Sequence, residues 1–244
     1  MRLHFAPGKD NRKLAQLEKL TGKRMYTFSI LSGHNCPFAQ DCQSFAIDTA
    51  EGRRIKDGKK TKFRCFSASQ EVLFPGVYNS RKENTEIVSR AGESVKMAAE
   101  LFALNIPKKA ELIRIHVGGD FKTLAYFDMW LRVAAMLPHI SFYAYTKSLP
   151  FWVKRFDSIP ANLQLTASLG GKRDDLINTY GLRSARVVEN EAEAEALGLP
   201  IDHDDSIAAL PENRDTDFAL LLHGPQRGRR ASYGYGKMAK GGKV

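Results

Sequence analysis

Three scarcities limit what this chain of 244 residues can be. It has only three cysteines, an odd number and too few for the disulfide framework of a small secreted protein. No apolar run approaches the roughly 20 residues that a membrane-spanning helix requires. The first twenty residues also lack the apolar stretch and small-residue cleavage site of a signal peptide. We therefore expect a cytoplasmic protein with reduced thiols and no membrane partner.

Acidic residues are missing from the end of the chain, where none follows Asp217. The formal net charge is +10, and six positive charges lie in the last eighteen residues, at Arg227, Arg229, Arg230, Lys237, Lys240 and Lys243. That stretch is rich in glycine and poor in large aliphatic residues, so it cannot offset its own ordering entropy by burial. We predict one domain over residues 1–226 and a flexible basic tail over 227–244. The tail either binds nucleic acid phosphates, with Tyr233 and Tyr235 stacking on bases, or only aids solubility.

Beyond the cysteines, strand-like and helix-like segments alternate. Apolar residues recur at helical spacing from about Thr85 to Leu104 and again in "TLAYFDMWLRVAAML". The segments "ELIRIHVGGD", "ISFYAYTKS", "NLQLTASLGG", "ARVVEN" and "DFALLLHG" have the β-rich composition of strands. Such alternation predicts right-handed βαβ units. We expect an α/β fold, a partial or complete (β/α) barrel with N-terminal cysteine-bearing loops; an open doubly wound sheet is the alternative.

Several of these strands end in polar, glycine-rich sequence, such as "AYTKS", "TASLGG" and "LLHG". Binding residues of parallel α/β folds gather at the carboxyl ends of the strands. Tyr145, Lys147 and Ser168 are therefore candidate binding residues, and His223 and Gln226 are weaker ones. The Lys147 ammonium suits a carboxylate or phosphate, although a lysine at a helix start can also be simply solvated.

Two further features are interpreted as structural. His116, inside a strand, is read as a core histidine rather than a site residue. The "DHDD" segment at 202–205 is read as a poor metal site, because consecutive acidic residues alternate faces or lie in a solvated loop and do not easily engage one cation.

The cysteines themselves form the pattern C-x5-C-x22-C at Cys36, Cys42 and Cys65, with His34 two residues before the first. Thiolates suit zinc, copper(I) or an iron–sulfur cluster. Three thiolates could hold zinc with His34 as a fourth ligand, or three irons of a [4Fe–4S] cluster with one iron open. The first gap is wider than that of a zinc knuckle, which favours the cluster. Three unconnected buried cysteines are the remaining alternative.

The segments "LSGHNCPFAQDC", "RCFSASQE", "RIHVGGDF", "FYAYTKSLPF" and "FALLLHG" together resemble the phage and bacterial family known as "gene product 88". The resemblance extends from about Met25 to Gln226. It implies a phage or bacterial protein, located in the host cytoplasm if it is phage-encoded. It implies little about the reaction.

A more distant resemblance is to radical S-adenosylmethionine (radical SAM) enzymes, in which a three-cysteine cluster precedes a strand ending in Gly-Gly-acid. That resemblance implies cluster ligation by Cys36, Cys42 and Cys65. It also implies that Gly118, Gly119 and Asp120 support the amino group of bound SAM. The cysteines are more widely spaced than the usual C-x3-C-x2-C, and Asp120 stands where glutamate is usual.

Three functions follow as hypotheses. The first is a [4Fe–4S] protein with one open iron at a barrel mouth, performing redox or radical chemistry on an unknown substrate with an electron donor as partner. The second is a zinc-stabilised nucleic-acid-binding protein, and the third is a passive electron carrier.

Overall fold

The computed structural model describes residues 2–90 and 94–222, and within them nine strands and nine α-helices. The strands are β1 (Phe5–Pro7), β2 (Met25–Phe28), β3 (Ser44–Thr49), β4 (Gly52–Asp57), β5 (Leu112–Ile115), β6 (Ser141–Thr146), β7 (Leu163–Ser168), β8 (Ser184–Val188) and β9 (Phe218–Leu221). The helices are α1 (Arg12–Thr21), α2 (Phe66–Leu73), α3 (Pro75–Arg90), α4 (Val95–Asn105), α5 (Leu124–Met136), α6 (Leu149–Lys154), α7 (Asp175–Tyr180), α8 (Glu191–Ala196) and α9 (Ser206–Ala209). None of the helices in these ranges is long and apolar enough to cross a membrane.

Seven strands form one sheet in the order β1-β2-β5-β6-β7-β8-β9, and β3 and β4 form a separate hairpin. Only β1 is antiparallel to its neighbour; every other pair in the large sheet is parallel. The strand order follows the chain without reversal, so each crossover advances in the same direction. The predicted α/β class with a mostly parallel sheet is confirmed.

One face of the sheet packs against helices α4 and α5. Phe28 of β2 meets the Trp130 ring of α5 at 5.4 Å between centroids, and Phe102 of α4 meets Trp130 at 5.2 Å. All three side chains are almost fully buried. Because parallel strands are covered on both faces, β5 reads as the nearly continuous apolar run "LIRI".

The opposite face carries a smaller core, formed with α1 and α9. Leu14 and Leu17, one helical turn apart on α1, pack with Tyr143 of β6 and Phe218 of β9. The Asn11 side chain accepts a hydrogen bond from the Lys13 amide at the start of α1, and Gly22 ends the helix in the left-handed conformation. We call this side, covered by α1 and α9, the inner face.

The single helix predicted from Thr85 to Leu104 is wrong. α3 ends at Arg90 and α4 starts at Val95. Ser94 begins the second helix, because its hydroxyl accepts a hydrogen bond from the Met97 amide. An N-cap residue inside an otherwise helical pattern was the signal for the break.

Candidate functional site

A cavity of about 180 Å³ lies on the inner face, at the carboxyl ends of the parallel strands. Its polar lining comes from the three predicted residues Tyr145, Lys147 and Ser168, together with Asn11, Lys13, Cys42, Arg64, Cys65, Arg114 and Asp205. Its apolar lining comes from Phe63, Phe66, Val117, Val187, Leu220, Leu221 and Leu222. The fold therefore brings strand ends, the first helix and the cysteine loops to one place.

Asp205 is the most heavily engaged charged group beside this cavity. Its Oδ1 lies 2.7 Å from Lys13 Nζ, and its Oδ2 lies 2.6 Å from Arg114 Nη1. The Tyr143 hydroxyl donates to it at 2.8 Å, and the Tyr145 hydroxyl lies 3.2 Å from it. Burial alone would raise the pKa of this carboxyl, but Arg114 and Lys13 outweigh burial and hold the pKa well below its usual value. Asp205 is therefore a fixed anion that positions two cations.

Of the two alternatives for the "DHDD" segment, a solvated loop does not describe its first and last residues, which turn inward. Asp202 is 3% exposed and Asp205 is fully buried. The segment turns inward because Asp202 bonds through its backbone amide to β9, at the Ala219 carbonyl. Asp205 itself has a left-handed backbone, with φ of 66°. Burial raises the pKa of the Asp202 carboxyl, whose Oδ1 has no hydrogen-bond partner in the described part of the chain.

Lys147 lies at the cavity wall, where its ammonium donates hydrogen bonds to oxygen atoms at the end of β7 and just after it. Its Nζ donates to the Ser168 carbonyl and hydroxyl, each at 2.8 Å, and to the Leu169 carbonyl at 2.6 Å. No carboxylate pairs with this ammonium within residues 2–90 and 94–222. Arg114 likewise keeps a buried Nε without a partner there, although its Nη1 is paired with Asp205. The cavity thus has more positive charge than Asp205 neutralises.

The "GGD" segment lies close to the cavity but does not line it. Asp120 Oδ1 accepts from the Thr146 hydroxyl and Oδ2 from the Lys147 amide, at 2.7 and 2.9 Å, which joins the ends of β5 and β6. A Cβ on Gly118 would lie 2.3 Å from Ser67 Oγ of α2. A Cβ on Gly119, which has φ of 83°, would lie equally close to Ile30. These contacts give both glycines a packing reason independent of any cofactor.

The predicted iron–sulfur centre is not supported, and the function built on it is wrong. No group of three or more His, Cys, Asp or Glu side chains in the described ranges is arranged so that it could hold a metal ion. His34 packs its ring against Phe45 at 4.6 Å. The same finding removes the zinc centre and the cluster-based electron carrier.

The Cys36 and Cys65 thiols have pKa values that are raised above the usual value. Burial, followed by the charge of Asp120, raises the pKa of the Cys36 thiol well above its usual value. Burial and the neighbouring Cys42 raise the pKa of Cys65 to about 12. Cys42 and Cys65 both line the cavity. Helix α2 begins directly after Cys65.

Sequence reasoning missed the ionic half of the site, namely Lys13, Arg114 and Asp205. A signal existed for Arg114, since a charged residue inside the apolar strand "LIRI" is rarely buried without a partner. His223, Gln226, Tyr233, Tyr235 and the basic tail at 227–244 lie outside the described residues. His116 is a buried core residue, as predicted, and its Nε2 lies 2.9 Å from the Tyr126 hydroxyl.

Comparison with known proteins identifies a family for this chain but no individual relative. No curated protein and no solved structure matches it. The resemblance to radical SAM enzymes is not shown by any comparison. A family model described as "Gene product 88" matches residues 6–237, which is most of the chain and includes both cysteine loops and the whole cavity. The chain belongs to the gene product 88 family.

Proposed function

We propose that this protein binds the carboxylate or phosphate group of a small molecule in the cavity on the inner face. The observation that carries the proposal is the buried Arg114 Nε, which lacks a partner in the described chain beside a cavity with surplus positive charge. An unsatisfied buried donor is costly, typically about 1–3 kcal/mol, unless a ligand or water accepts from it. A carboxylate or phosphate oxygen is the acceptor that a guanidinium prefers.

The volume limits the size of the enclosed group. At about 180 Å³ the cavity is smaller than the roughly 300–1,000 Å³ of sites that enclose drug-sized ligands. An amino acid or a short carboxylic acid is of suitable size, with its apolar part against Val187, Leu220 and Leu222. A neighbouring cleft of about 650 Å³ shares Asn11 and Lys13 with the cavity and gives a longer molecule room to extend.

S-adenosylmethionine is a longer molecule with such a carboxylate, although its ammonium and sulfonium make it a net cation, and we propose it as a ligand held by the carboxylate. Its methionine carboxylate suits the surplus charge of the cavity, and its adenosine is too large to share that space. The neighbouring cleft supports this proposal by its volume.

We also propose that the sheet curls into a partial (β/α) barrel around the inner face. Two facts support this architecture: the strand order advances without reversal, and α1 and α9 occupy the face opposite to α4 and α5. A partial barrel places the carboxyl ends of all its parallel strands around one mouth, which is where ligands of barrel enzymes bind.

Calorimetric titration with L-methionine, S-adenosylmethionine and inorganic phosphate, each as a separate probe, tests the binding proposal. We expect at least one of them to bind wild-type protein and to bind Arg114→Lys at least tenfold more weakly. This variant keeps the charge opposite Asp205 but loses the Nε donor. Arg132→Lys is the matched control, since Arg132 is exposed on α5 outside the cavity. Failure of all three probes to bind would reject a small-anion site.

The titration also needs a check on folding, because Arg114 is part of a buried ion pair. Ser168→Ala removes one hydroxyl from the cavity wall and leaves that pair intact. We expect it to weaken binding of the same probe while its thermal midpoint stays near that of wild type.

A further inference from the structure

A second hollow lies at the opposite end of the sheet, where the parallel strands begin. It has a volume of about 870 Å³ and lies between the end of α1, the start of β2 and the loop from α4 to β5. None of its lining residues lines the cavity on the inner face. We call it the amino-end hollow and define it by its cationic residues, Lys9, Lys19, Arg24, Lys108 and Lys109.

The two carboxylates of the amino-end hollow are already used by the backbone. Glu18 Oε2 accepts from the Met25 amide at 3.2 Å, and Glu111 Oε2 accepts from the Arg24 amide at 2.9 Å. The first bond ties the start of β2 to α1, and the second ties it to the residue before β5. Among the described residues, one ion pair lies in the hollow, between Arg24 and Glu18 at 3.8 Å.

The four lysines of the hollow form no ion pair in the described part of the chain, and with Arg24 they bring five positive charges against the two carboxylates. All four are exposed, and they come from three separate chain segments, the turn before α1, the end of α1 and the loop after α4. They do not follow from one basic run in the sequence. The fold itself collects them around one concave surface.

We propose that the amino-end hollow binds the phosphate backbone of double-stranded nucleic acid. Lysine ammonium groups contact phosphates as point charges and carry no sequence information. No Phe, Tyr or Trp is among the described residues that line the hollow, so the stacking platform typical of single-strand binding is missing from them. A concave surface also suits the ridge of a duplex backbone better than the plane of a lipid bilayer.

The test compares two pairs of consecutive exposed lysines in the full-length protein. Lys108→Gln/Lys109→Gln removes two charges from the hollow. Lys59→Gln/Lys60→Gln is the matched control, since these exposed lysines follow β4 near the cysteine loops. The basic tail is retained in both variants, so its contribution cancels. Fluorescence anisotropy with a labelled 20-base-pair DNA duplex is measured between 50 and 200 mM salt.

We expect the hollow variant to bind the duplex at least tenfold more weakly at 50 mM salt. The plot of log K against log salt should also become shallower, with a slope smaller in magnitude by about two, since each lost phosphate contact removes roughly 0.9. The control should bind the duplex within twofold of the wild-type affinity and should show the same salt slope as wild type. Equal binding by wild type and the hollow variant, or an equal loss in the control, would overturn the proposal.

Two further outcomes are decisive. Preference for a single strand of the same length over the duplex would overturn the proposal. Binding to vesicles with 30% phosphatidylserine that weakens on loss of Lys108 and Lys109, with no binding to DNA, would also overturn it. L-methionine or S-adenosylmethionine binding in the inner cavity should be the same in both variants. This inference and the proposed function can therefore fail independently.

Discussion

Arg114 of β5 and Asp205, just before α9, are joined on the inner face with 2.6 Å between Nη1 and Oδ2. Lys13 of α1 contacts the other oxygen of the same carboxylate. One buried anion therefore holds a strand, the first helix and a late loop together beside the cavity. Removing one partner of such a group leaves uncompensated charge at a largely buried position.

Asp205→Asn tests this relationship. Asparagine keeps the size of the side chain and tolerates the left-handed backbone at this position. It leaves Arg114 and Lys13 without their anion, so we expect a loss of about 3–5 kcal/mol in the free energy of unfolding, measured in urea. Asp175→Asn, which removes the exposed partner of Arg173, should leave the urea midpoint unchanged. A similar loss of stability in both variants would show that the buried Asp205 contributes no more to the free energy of unfolding than the exposed Asp175 does.

His116 predicts how stability depends on pH. Burial and the nearby charge of Arg114 lower its pKa to about 3, whereas in the unfolded chain it is about 6.5. Between these values the unfolded state binds more protons, so protonation favours unfolding. We expect stability to fall by up to about 1.4 kcal/mol per pH unit from pH 6 towards pH 3 because of this residue.

The matched variant for that measurement is His116→Asn, because asparagine also accepts the left-handed backbone that His116 adopts, with φ of 66°. The variant should be less stable at pH 7 but lose less stability on acidification. Parallel urea curves of the two proteins at pH 7, 5 and 4 give the difference. Identical slopes with pH would contradict a buried neutral imidazole.

Gly118→Ala tests the close approach of α2 to the end of β5. The added Cβ would lie 2.3 Å from Ser67 Oγ and 2.8 Å from an Arg81 nitrogen, both on buried side chains. Overpacking of this kind costs about 1–3 kcal/mol. Gly76→Ala, near the start of α3 with nothing within 4 Å of the new Cβ, should instead stabilise by a few tenths of a kcal/mol up to about 1. Thermal or urea unfolding of both variants distinguishes contact from a general effect of glycine replacement.

The thiols should be slow to react in the folded protein. At pH 8 a thiol with a pKa of about 12, as at Cys65, is ionised to roughly one part in ten thousand. Cys36 is shifted in the same direction. We expect iodoacetamide to leave both residues largely unmodified at pH 8 and to alkylate them fully in 6 M guanidinium chloride, as read by peptide mass spectrometry. Rapid alkylation of Cys65 in the native protein would contradict its raised pKa.

Local patterns predicted the second half of the fold well. The strands β5 to β9 and the helix α5 were recognisable because apolar residues repeat within each segment, as in Leu112, Ile113 and Ile115. The elements β1, α1 and β2 were not predicted. Two of these are strands of only three and four residues, and a pattern of that length carries little information.

The candidate site divides in the same way. Tyr145, Lys147 and Ser168 could be predicted because strand ends in a parallel sheet share one edge. Lys13 and Asp205 could not, since their pairing depends on how α1 and the loop before α9 cross the inner face. The metal prediction failed for a related reason: cysteine spacing along the chain does not determine the orientation of three side chains that come from two separate loops.

The covering of the inner face by α1 and α9 has a consequence for synthesis on the ribosome. The outer core of β2, β5 and β6 with α4 and α5 can assemble once these segments have emerged, since each follows the last in the chain. The cavity has to wait for Asp205 and β9, which come late. A nascent chain stalled before Asp205 would present Lys13 and Arg114 as two neighbouring cations with no anion between them.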